Sequence, residues 1–196
     1  VDQSSPLILA SASLRRAELL RAAGFDFEVM PAHVNESVRP GEAPAAYVER
    51  LARAKALAVH QHHPDRVVLA ADTTVVAGGE ILGKPVDAAD ARRMLTMLAA
   101  RTHDVVAAVA VAAGDKLESA CDTTLVEFAP LTSEWIHWYI ATDEPMDKAG
   151  AYAIQGFASR FVTRLAGSYS NVVGLPIALV HAMLERLDGS ARVRSL

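Results

Sequence analysis

Hydrophobic positions along the chain fall into short blocks that alternate between strand-like and helix-like spacing. Residues 7–10 form an apolar run typical of a buried strand, and the spacing then becomes helical up to Gly24. Strand-like spacing returns over residues 25–30. Pro44 suits the first turn of a long helix, which we expect to run towards His60. The first third of the chain therefore predicts two strands and two helices.

The middle of the chain contains longer strand-like blocks. Residues 67–77 form a continuous apolar run, and the glycine pair at 78–79 is a turn signal that favours a hairpin with residues 80–82. Further along we expect a helix capped by Asp87, paired strands over 105–113 and 116–128, and a helix around Trp135 and Tyr139. Residues 143–156 should be mostly loop. A strand over 161–165, a loop over 167–174 and a last helix from Pro176 complete the prediction. Because strands and helices mix without strict alternation, these elements predict an α/β fold with a mixed β-sheet flanked by helices.

Composition narrows the class of protein. The chain has 196 residues, of which 52% are hydrophobic and 21% charged. This suffices for a packed core, and the length suits one sizeable α/β domain or two small lobes sharing a cleft. The net charge is -4, because 23 Asp and Glu outnumber 19 Lys and Arg. A broad nucleic-acid-binding face needs a basic excess, so we expect no nucleic-acid partner and only a local phosphate site.

The single cysteine, Cys121, cannot form an internal disulfide, which favours a reducing compartment. It lies in an apolar stretch, which predicts a small core residue. Residues 1–6 lack the basic flank and apolar core of a signal peptide, and the longest apolar run, residues 105–113, is too short to cross a bilayer. We therefore expect a cytoplasmic protein without a membrane segment.

The first predicted strand leads directly into a helix start that carries Ser11, Ser13, Arg15 and Arg16. Helix N-termini present free N–H groups and a partial positive charge, which suits a phosphate. Two cations at this end oppose the helix dipole, so a bound anion would explain them. The alternative, a serine-capped helix with solvated arginines, is equally compatible with this segment alone.

Two charged residues flank or occupy the long helix from Pro44. Lys55 falls on its apolar face, because Val48 and Leu51 share its spacing. A lysine there either extends its ammonium to solvent along apolar surface or points into a cleft, and the sequence leaves both open. Glu36 lies in the polar loop before the helix and is uninformative by itself.

The clearest chemical signal is Asp72, an acid inside a continuous apolar strand. A buried carboxylate is costly unless it is paired or binds a metal. A two-residue turn would pair Ala77 with Glu80. It would also place Thr73 opposite Lys84, so that Asp72 and Lys84 become neighbours on adjacent strands. This arrangement is either a structural ion pair at a sheet end or the acid and cation of a phosphate site.

Several segments together resemble the Maf family in order and spacing, from about residue 7 to 187. They are Ser-Ala-Ser-Leu-Arg-Arg-Ala-Glu-Leu-Leu from Ser11, the single residues Glu36 and Lys55, Ala-Asp-Thr-Thr-Val-Val from Ala71, Gly-Lys-Pro from Gly83, Asp-Lys-Ala-Gly-Ala-Tyr-Ala-Ile-Gln-Gly from Asp147 and Gly-Ser-Tyr-Ser-Asn-Val-Val-Gly-Leu-Pro from Gly167. Leu14 and Asn35 depart from the family pattern, which usually has a proline and an acid at these positions.

The resemblance implies a nucleoside triphosphate pyrophosphatase with an inosine-triphosphatase-like (Maf/Ham-type) fold: a bent mixed sheet flanked by helices, in two lobes around a central cleft. It makes residues 1–196 a single Maf-like domain with its core over about 7–187, and we expect residues 189–196 to be a frayed tail. The residues around Asp72 and Gln155 resemble the branch acting on dTTP and UTP, with modified pyrimidine nucleotides as further candidates. The family also implies a homodimer.

The resemblance suggests roles for individual residues. Asp72 would accept the proton of the attacking water, and with Glu36 it would hold a divalent metal, Mg²⁺ or Mn²⁺. Arg15, Thr73 and Gln155 would shape substrate choice. The other matched positions are the catalytic Lys55 and Lys84 and the substrate-binding Ser11, Ser13 and Arg16.

Other functions stay open from the sequence. A regulatory nucleotide-binding protein linked to septum formation would bind without turnover, although the intact acids and lysines argue against it. A nucleotidyltransferase or a phosphatase would use the same metal cleft. The product separates these classes: pyrophosphate indicates a pyrophosphatase, orthophosphate a phosphatase, and no product a binding protein.

Overall fold

The structure is a computed structural model that describes residues 6–188, so the tail predicted over residues 189–196 lies outside it. Its strands are β1 (Leu7–Leu9), β2 (Phe27–Val29), β3 (Val68–Ala77), β4 (Glu80–Leu82), β5 (Thr102–Ala113), β6 (Lys116–Phe128) and β7 (Val162–Ala166). Its α-helices are α1 (Leu14–Ala22), α2 (Pro44–His60), α3 (Ala88–Leu98), α4 (Ser133–Ile140), α5 (Tyr169–Val173) and α6 (Ile177–Asp188). Short 3-10 turns cover Glu144–Asp147, Ala149–Ala151 and Phe157–Arg160.

The strands are hydrogen-bonded in the order β2-β1-β3-β5-β6-β7, and β4 pairs with β3 beside this path. β1 is parallel to both β2 and β3, whereas β4 is antiparallel to β3 and β7 is antiparallel to β6. The sheet is therefore mixed, as the irregular alternation of strands and helices predicts. The hairpin register is also confirmed, because Ala77 pairs with Glu80 across the glycine turn.

The chain divides into two compact units, each made from separate stretches of sequence. The first unit comprises the chain up to Asp72, residues Ala107–Asp122 and the chain from Gly174 onward; the second comprises Thr73–Val106 and Thr123–Val173. Each has its own apolar core. The largest fully buried side chains of the first core include Leu7, Leu9, Leu20, Leu69 and Leu175, and those of the second include Leu82, Leu95, Leu98, Phe128 and Tyr139.

Glycine and a polar cap set the ends of α1 as the sequence predicts. The Ser13 side chain accepts from a backbone N–H of the first turn, and Gly24 follows the last turn with φ of 81°. The N–H of Gly24 donates to Arg21 O and that of Phe25 donates to Leu20 O. This pair of bonds is a Schellman motif, which needs a left-handed residue at the position of Gly24. The motif turns the chain from α1 towards β2.

Two local predictions are wrong. The loop predicted over residues 167–174 contains the short helix α5, whose start is stabilised because the N–H of Asn171 donates to the Ser168 hydroxyl. Cys121 is exposed rather than a core residue. In β6 the buried positions alternate with exposed ones, and Cys121 shares the outward phase of Leu125. Among residues 6–188, no helix combines the length and apolar character that crossing a membrane requires.

Candidate active site

Lys55 lies on the buried face of α2, together with Val48 and Leu51. Only 7% of the residue is exposed. Its ammonium donates to Asp72 Oδ1 over 2.7 Å and forms an ion pair with Glu36 Oε1 at 2.6 Å. The sequence leaves open whether this ammonium extends to solvent. In the structure it does not, because it lies between two carboxylates.

Asp72 is held in the buried middle of β3, where 8% of the residue is exposed. A carboxylate in this position requires a partner, and Lys55 supplies it. The predicted strand neighbour, Lys84, lies beyond the end of β4, because the ladder between β3 and β4 ends at the pair Val75 and Leu82. The expectation that Thr73 and Lys84 face each other across this ladder is therefore wrong.

Glu36 lies in the irregular segment between β2 and α2, and its side chain is 55% exposed. An ion pair with so much solvent contact contributes little to stability. Its importance is geometric. Because Lys55 contacts both Glu36 and Asp72, the two carboxylates lie within one hydrogen-bond length of the same ammonium.

The carboxylates of Glu36 and Asp72 fit a hard divalent cation, since Mg²⁺ and Mn²⁺ prefer oxygen ligands. Within residues 6–188, no group of three or more His, Cys, Asp or Glu side chains is arranged to hold a metal ion. Mg²⁺ is commonly held by one or two carboxylates, with water and substrate phosphates completing its shell. The donor set thus suits a metal held by two carboxylates and water, with substrate phosphates replacing water when they bind, rather than one caged by protein alone.

The serine hydroxyls at the start of α1 are engaged by the protein itself. Ser13 caps the helix, with its Oγ accepting from Arg16 N at 3.5 Å. Ser11 is 6% exposed, and its Oγ accepts from Ser13 N and from the Arg16 guanidinium, each at 3.2 Å. The helix is therefore serine-capped, as the alternative to a phosphate site predicts. Its arginines, however, are not simply solvated.

Arg16 and Arg15 differ in how their donors are used. Arg16 Nε donates to Gly174 O at 2.9 Å, which fixes the guanidinium at the first turn. Burial lowers the pKa of Arg16 and so does the charge of Arg15, whereas Asp72 and Glu36 raise it. Arg15 Nε is buried and has no hydrogen-bond partner in the described part of the chain. Arg15 thus retains a donor that an anionic ligand would satisfy.

Three predicted site residues belong to the second unit. Thr73 follows Asp72 in β3 and is half-buried, whereas Lys84 and Gln155 are exposed. Gln155 lies in the turn before the 3-10 segment Phe157–Arg160, and Glu144 secures that segment. The Glu144 carboxylate accepts from Phe157 N at 2.9 Å, from Ala158 N at 3.4 Å and from the Tyr139 hydroxyl at 2.8 Å.

Tertiary structure also reveals polar residues that the sequence analysis did not single out. Tyr47 and Arg50 bond to the backbone of the loop that carries Glu36. Asn171 is fully buried, and its Nδ2 donates to Val105 O at 2.9 Å and to Thr124 Oγ1 at 3.1 Å. The spacing of Tyr47 and Arg50, three residues apart at the start of α2, was a visible signal for a shared face.

The predicted site residues are thus distributed over both units. The first unit contains Ser11, Ser13, Arg15, Arg16, Glu36, Lys55 and Asp72; the second contains Thr73, Lys84 and Gln155. Direct contacts link Lys55 to Asp72 and Glu36 in one group, and Arg16 to Ser11 in another. The functional roles given to these residues stay predictions.

Comparison with known proteins gives a consistent result. The family model described as Maf-like protein matches residues 6–187. A curated protein from Symbiobacterium thermophilum, named dTTP/UTP pyrophosphatase, is 51% identical over 180 residues, which cover 92% of this chain and 93% of the relative. One of the same name from Anaeromyxobacter dehalogenans is 53% identical over 185 residues, covering 92% and 93%.

A solved structure extends the comparison to the fold. The Staphylococcus aureus Ham1 protein matches with a TM-score of 0.56 at 17% identity, over 94% of this chain and 100% of that one. At this identity the likeness concerns the fold alone. It confirms the predicted Ham-type α/β fold with a mixed sheet flanked by helices.

Proposed function

Because the chain belongs to the Maf family, and curated relatives about half identical to it are named dTTP/UTP pyrophosphatases, we propose that it hydrolyses dTTP and UTP to the monophosphate and pyrophosphate. The observation that supports this chemistry in the chain itself is the contact of Lys55 with both Asp72 and Glu36. Two carboxylates and a buried ammonium supply a proton acceptor, cation ligands and a fixed positive charge.

Asp72 is the proton acceptor in this proposal. Hydrolysis breaks the bond between the α and β phosphates, adds the oxygen of one water and releases one proton, which the carboxylate takes up. The Lys55 ammonium donates to Asp72 Oδ1, and this bond fixes the orientation of the carboxylate. A base held in one orientation loses less entropy on reaching the reactive geometry.

A divalent metal, Mg²⁺ or Mn²⁺, is part of the proposal, with Glu36 and Asp72 as the residues that would hold it. When bound, such an ion neutralises charge on the phosphates and orients the leaving group. Lys55 would keep the two carboxylates converged before the metal and substrate arrive, because it contacts both of them. Glu36 and Asp72 would thereby form a pair of ligands already in place rather than two independent side chains.

Binding of the triphosphate is assigned to the remaining residues. Arg15 has a buried Nε without a partner in the described chain, which suits a phosphate oxygen. Arg16 would add positive charge from the position fixed by Gly174. Ser11 and Ser13 would contribute hydroxyl groups, and Lys84 a further cation. Thr73 and Gln155 would meet the sugar or base, by analogy with the dTTP and UTP branch.

Product analysis over a panel of triphosphates tests the proposal. Purified protein with Mg²⁺ or Mn²⁺ is incubated with dTTP, UTP, CTP, ATP and GTP, and pyrophosphate and orthophosphate are quantified separately. We expect pyrophosphate from dTTP and UTP, little turnover of the purine nucleotides, and complete loss of activity with excess chelator. Orthophosphate as the first product would instead indicate a phosphatase, and nucleotide binding without any product would indicate a regulatory protein.

We further propose that the protein is a homodimer of the cytoplasm. The family resemblance supports the dimer, and the single cysteine supports a reducing compartment. Light scattering coupled to size-exclusion chromatography measures the mass of the particle. A mass twice that of the 20.9 kDa chain is expected, and a monomer at micromolar concentration would contradict the first part of the proposal.

A further inference from the structure

The loop that presents Glu36 is held by residues with no assigned role. Residues 30–39 contain no helix, strand or turn, and the Glu36 side chain is half exposed. A segment of this kind is ordinarily free to sample many conformations. Here its backbone is bonded to the first turns of α2 at two points. The Tyr47 hydroxyl donates to Glu36 O at 3.0 Å, and Arg50 donates to Ser37 O at 3.1 Å.

Arg50 is itself fixed by Glu42. Its guanidinium makes two bonds to the carboxylate, from Nε to Oε1 at 2.6 Å and from Nη2 to Oε2 at 2.7 Å. The carboxylate also accepts from Arg39 N at 3.0 Å, so the part of the loop that follows Glu36 is tied to one ion pair through Ser37 and Arg39. The bond from Arg50 lowers the pKa of Glu42 to about 2, so the pair stays charged in mildly acidic as well as neutral solution.

Tyr47 connects this network to the carboxylates. Its ring lies 5.6 Å from the Arg50 guanidinium carbon, in a cation–π arrangement. Burial raises the pKa of the Tyr47 hydroxyl, and the charges of Asp72 and Glu36 raise it further. The geometric link to the site is the bond that the hydroxyl donates to the backbone carbonyl of Glu36 itself.

We propose that Tyr47, Arg50 and Glu42 form a positioning brace that holds Glu36 beside Asp72 for cation binding. The inference rests on the proposed function, because it takes Glu36 and Asp72 as the residues that bind the metal. None of the three brace residues contacts the cation in this proposal. They act by removing conformational freedom from the Glu36 loop before binding, so that less of the binding free energy is lost in ordering it.

Two conservative substitutions remove single contacts of the brace. Tyr47→Phe deletes the hydroxyl that donates to Glu36 O and retains the ring beneath Arg50. Arg50→Lys retains the charge but cannot make the paired bonds to Glu42 together with the bond to Ser37. The matched control is Arg53→Lys, one turn further along α2, because Arg53 donates to the Ser119 hydroxyl and not to the loop.

Mn²⁺ binding to the substrate-free protein, measured by the loss of the free-ion electron paramagnetic resonance signal, is the primary readout. We expect Kd to rise about fivefold in Tyr47→Phe and about tenfold in Arg50→Lys, as one lost bond of each kind implies. Arg53→Lys should stay within about twofold of wild type. In turnover assays the Mn²⁺ concentration for half activation should rise by the same factors, with kcat at saturating Mn²⁺ nearly unchanged.

Hydrogen exchange followed by mass spectrometry reports on the loop directly. Peptides covering residues 31–43 should exchange faster in Tyr47→Phe and Arg50→Lys, while peptides from the later turns of α2 should not change. A general loss of stability would accelerate both regions together. Localised exchange with weaker Mn²⁺ binding therefore distinguishes positioning from a merely structural role.

The brace is overturned if both loop variants bind Mn²⁺ as wild type does, if Arg53→Lys weakens binding equally, or if the wild-type protein binds no Mn²⁺. Failure of the proposed function looks different. Wild-type protein that binds Mn²⁺ in a brace-dependent manner but releases no pyrophosphate from dTTP or UTP would refute the function and leave the brace intact.

Discussion

The ammonium of Lys55 donates to Asp72 Oδ1 over 2.7 Å, although the two residues are 17 positions apart in sequence. Both are largely buried, with 7% and 8% exposed. The contact ties the middle of helix α2 to the middle of strand β3 inside the first unit. Glu36 adds a second carboxylate to the same ammonium. The buried charges of Lys55 and Asp72 therefore compensate each other, whereas the charge of Glu36 is also solvated.

Replacing Lys55 by methionine should destabilise the protein by about 3 kcal/mol, because it leaves the buried Asp72 carboxylate without its ammonium partner. Urea denaturation followed by far-UV circular dichroism measures the free energy of unfolding. Lys116→Met provides the matched control, since Lys116 is exposed at the start of β6. Equal unfolding midpoints for the two variants would show that the Lys55–Asp72 pair contributes no net stability.

Asp72→Asn should reduce turnover of dTTP by about a thousandfold, because the amide does not accept the proton that hydrolysis releases. The variant should still fold, since an asparagine oxygen can accept from Lys55 in the place of Asp72 Oδ1. Pyrophosphate release and the thermal unfolding midpoint are measured on the same preparation. Turnover near that of wild type would mean that another group accepts the proton.

Gly156→Ala should destabilise the second unit by about 2 kcal/mol through overpacking. An added Cβ would overlap the Glu144 carboxylate, which is fixed by Tyr139 and by the N–H groups of Phe157 and Ala158. Backbone strain plays no part, because Gly156 has φ of −104°.

A double-mutant cycle isolates this contact between Gly156 and Glu144. Glu144→Ala removes the overlapping carboxylate, so Gly156→Ala should cost almost nothing in that background. Gly83→Ala serves as a second control, because an added Cβ there meets no atom within 4 Å. Additive effects of the two substitutions would rule out the overlap as the cause.

Acidification should destabilise the protein through His103, which is 3% exposed and bonds through Nε2 to the Tyr152 hydroxyl. Burial lowers the pKa of His103 from 6.5 to about 4. Between these values the unfolded chain binds a proton that the folded protein excludes. The contribution of neutral His103 to the free energy of unfolding is therefore complete above pH 6.5. It decreases by about 3 kcal/mol as the pH falls towards 4.

His103→Phe separates this effect from the titration of carboxylates. Urea denaturation at several values between pH 7 and pH 4.5 should show a shallower loss of stability in the variant than in wild type. Parallel curves for the two proteins would mean that His103 is protonated in the folded state without cost.

The elements of this fold were largely readable from sequence, because their periodicity reflects which side of each one is buried. The bounds predicted for α2 agree with those observed, and Asp72 stood out as a charge within an apolar strand. Lys55 was recognisable as a lysine on an apolar face. The motifs of the Maf family decided between the two interpretations of the helix start that carries Arg15, and they added Glu36 and Gln155, for which local pattern offers little signal.

Only tertiary structure decided which of these groups meet. Periodicity identifies a buried face but not the face packed against it, so Asp72 was matched to Lys84 on the hairpin when its partner is Lys55 on α2. For the same reason the bond from Arg16 to Gly174, 158 residues apart, left no trace in local sequence. The spacing of Tyr47 and Arg50 showed that they share a face, but not what they contact. Their bonds to the Glu36 loop go to backbone atoms, whose chemistry is the same at every position.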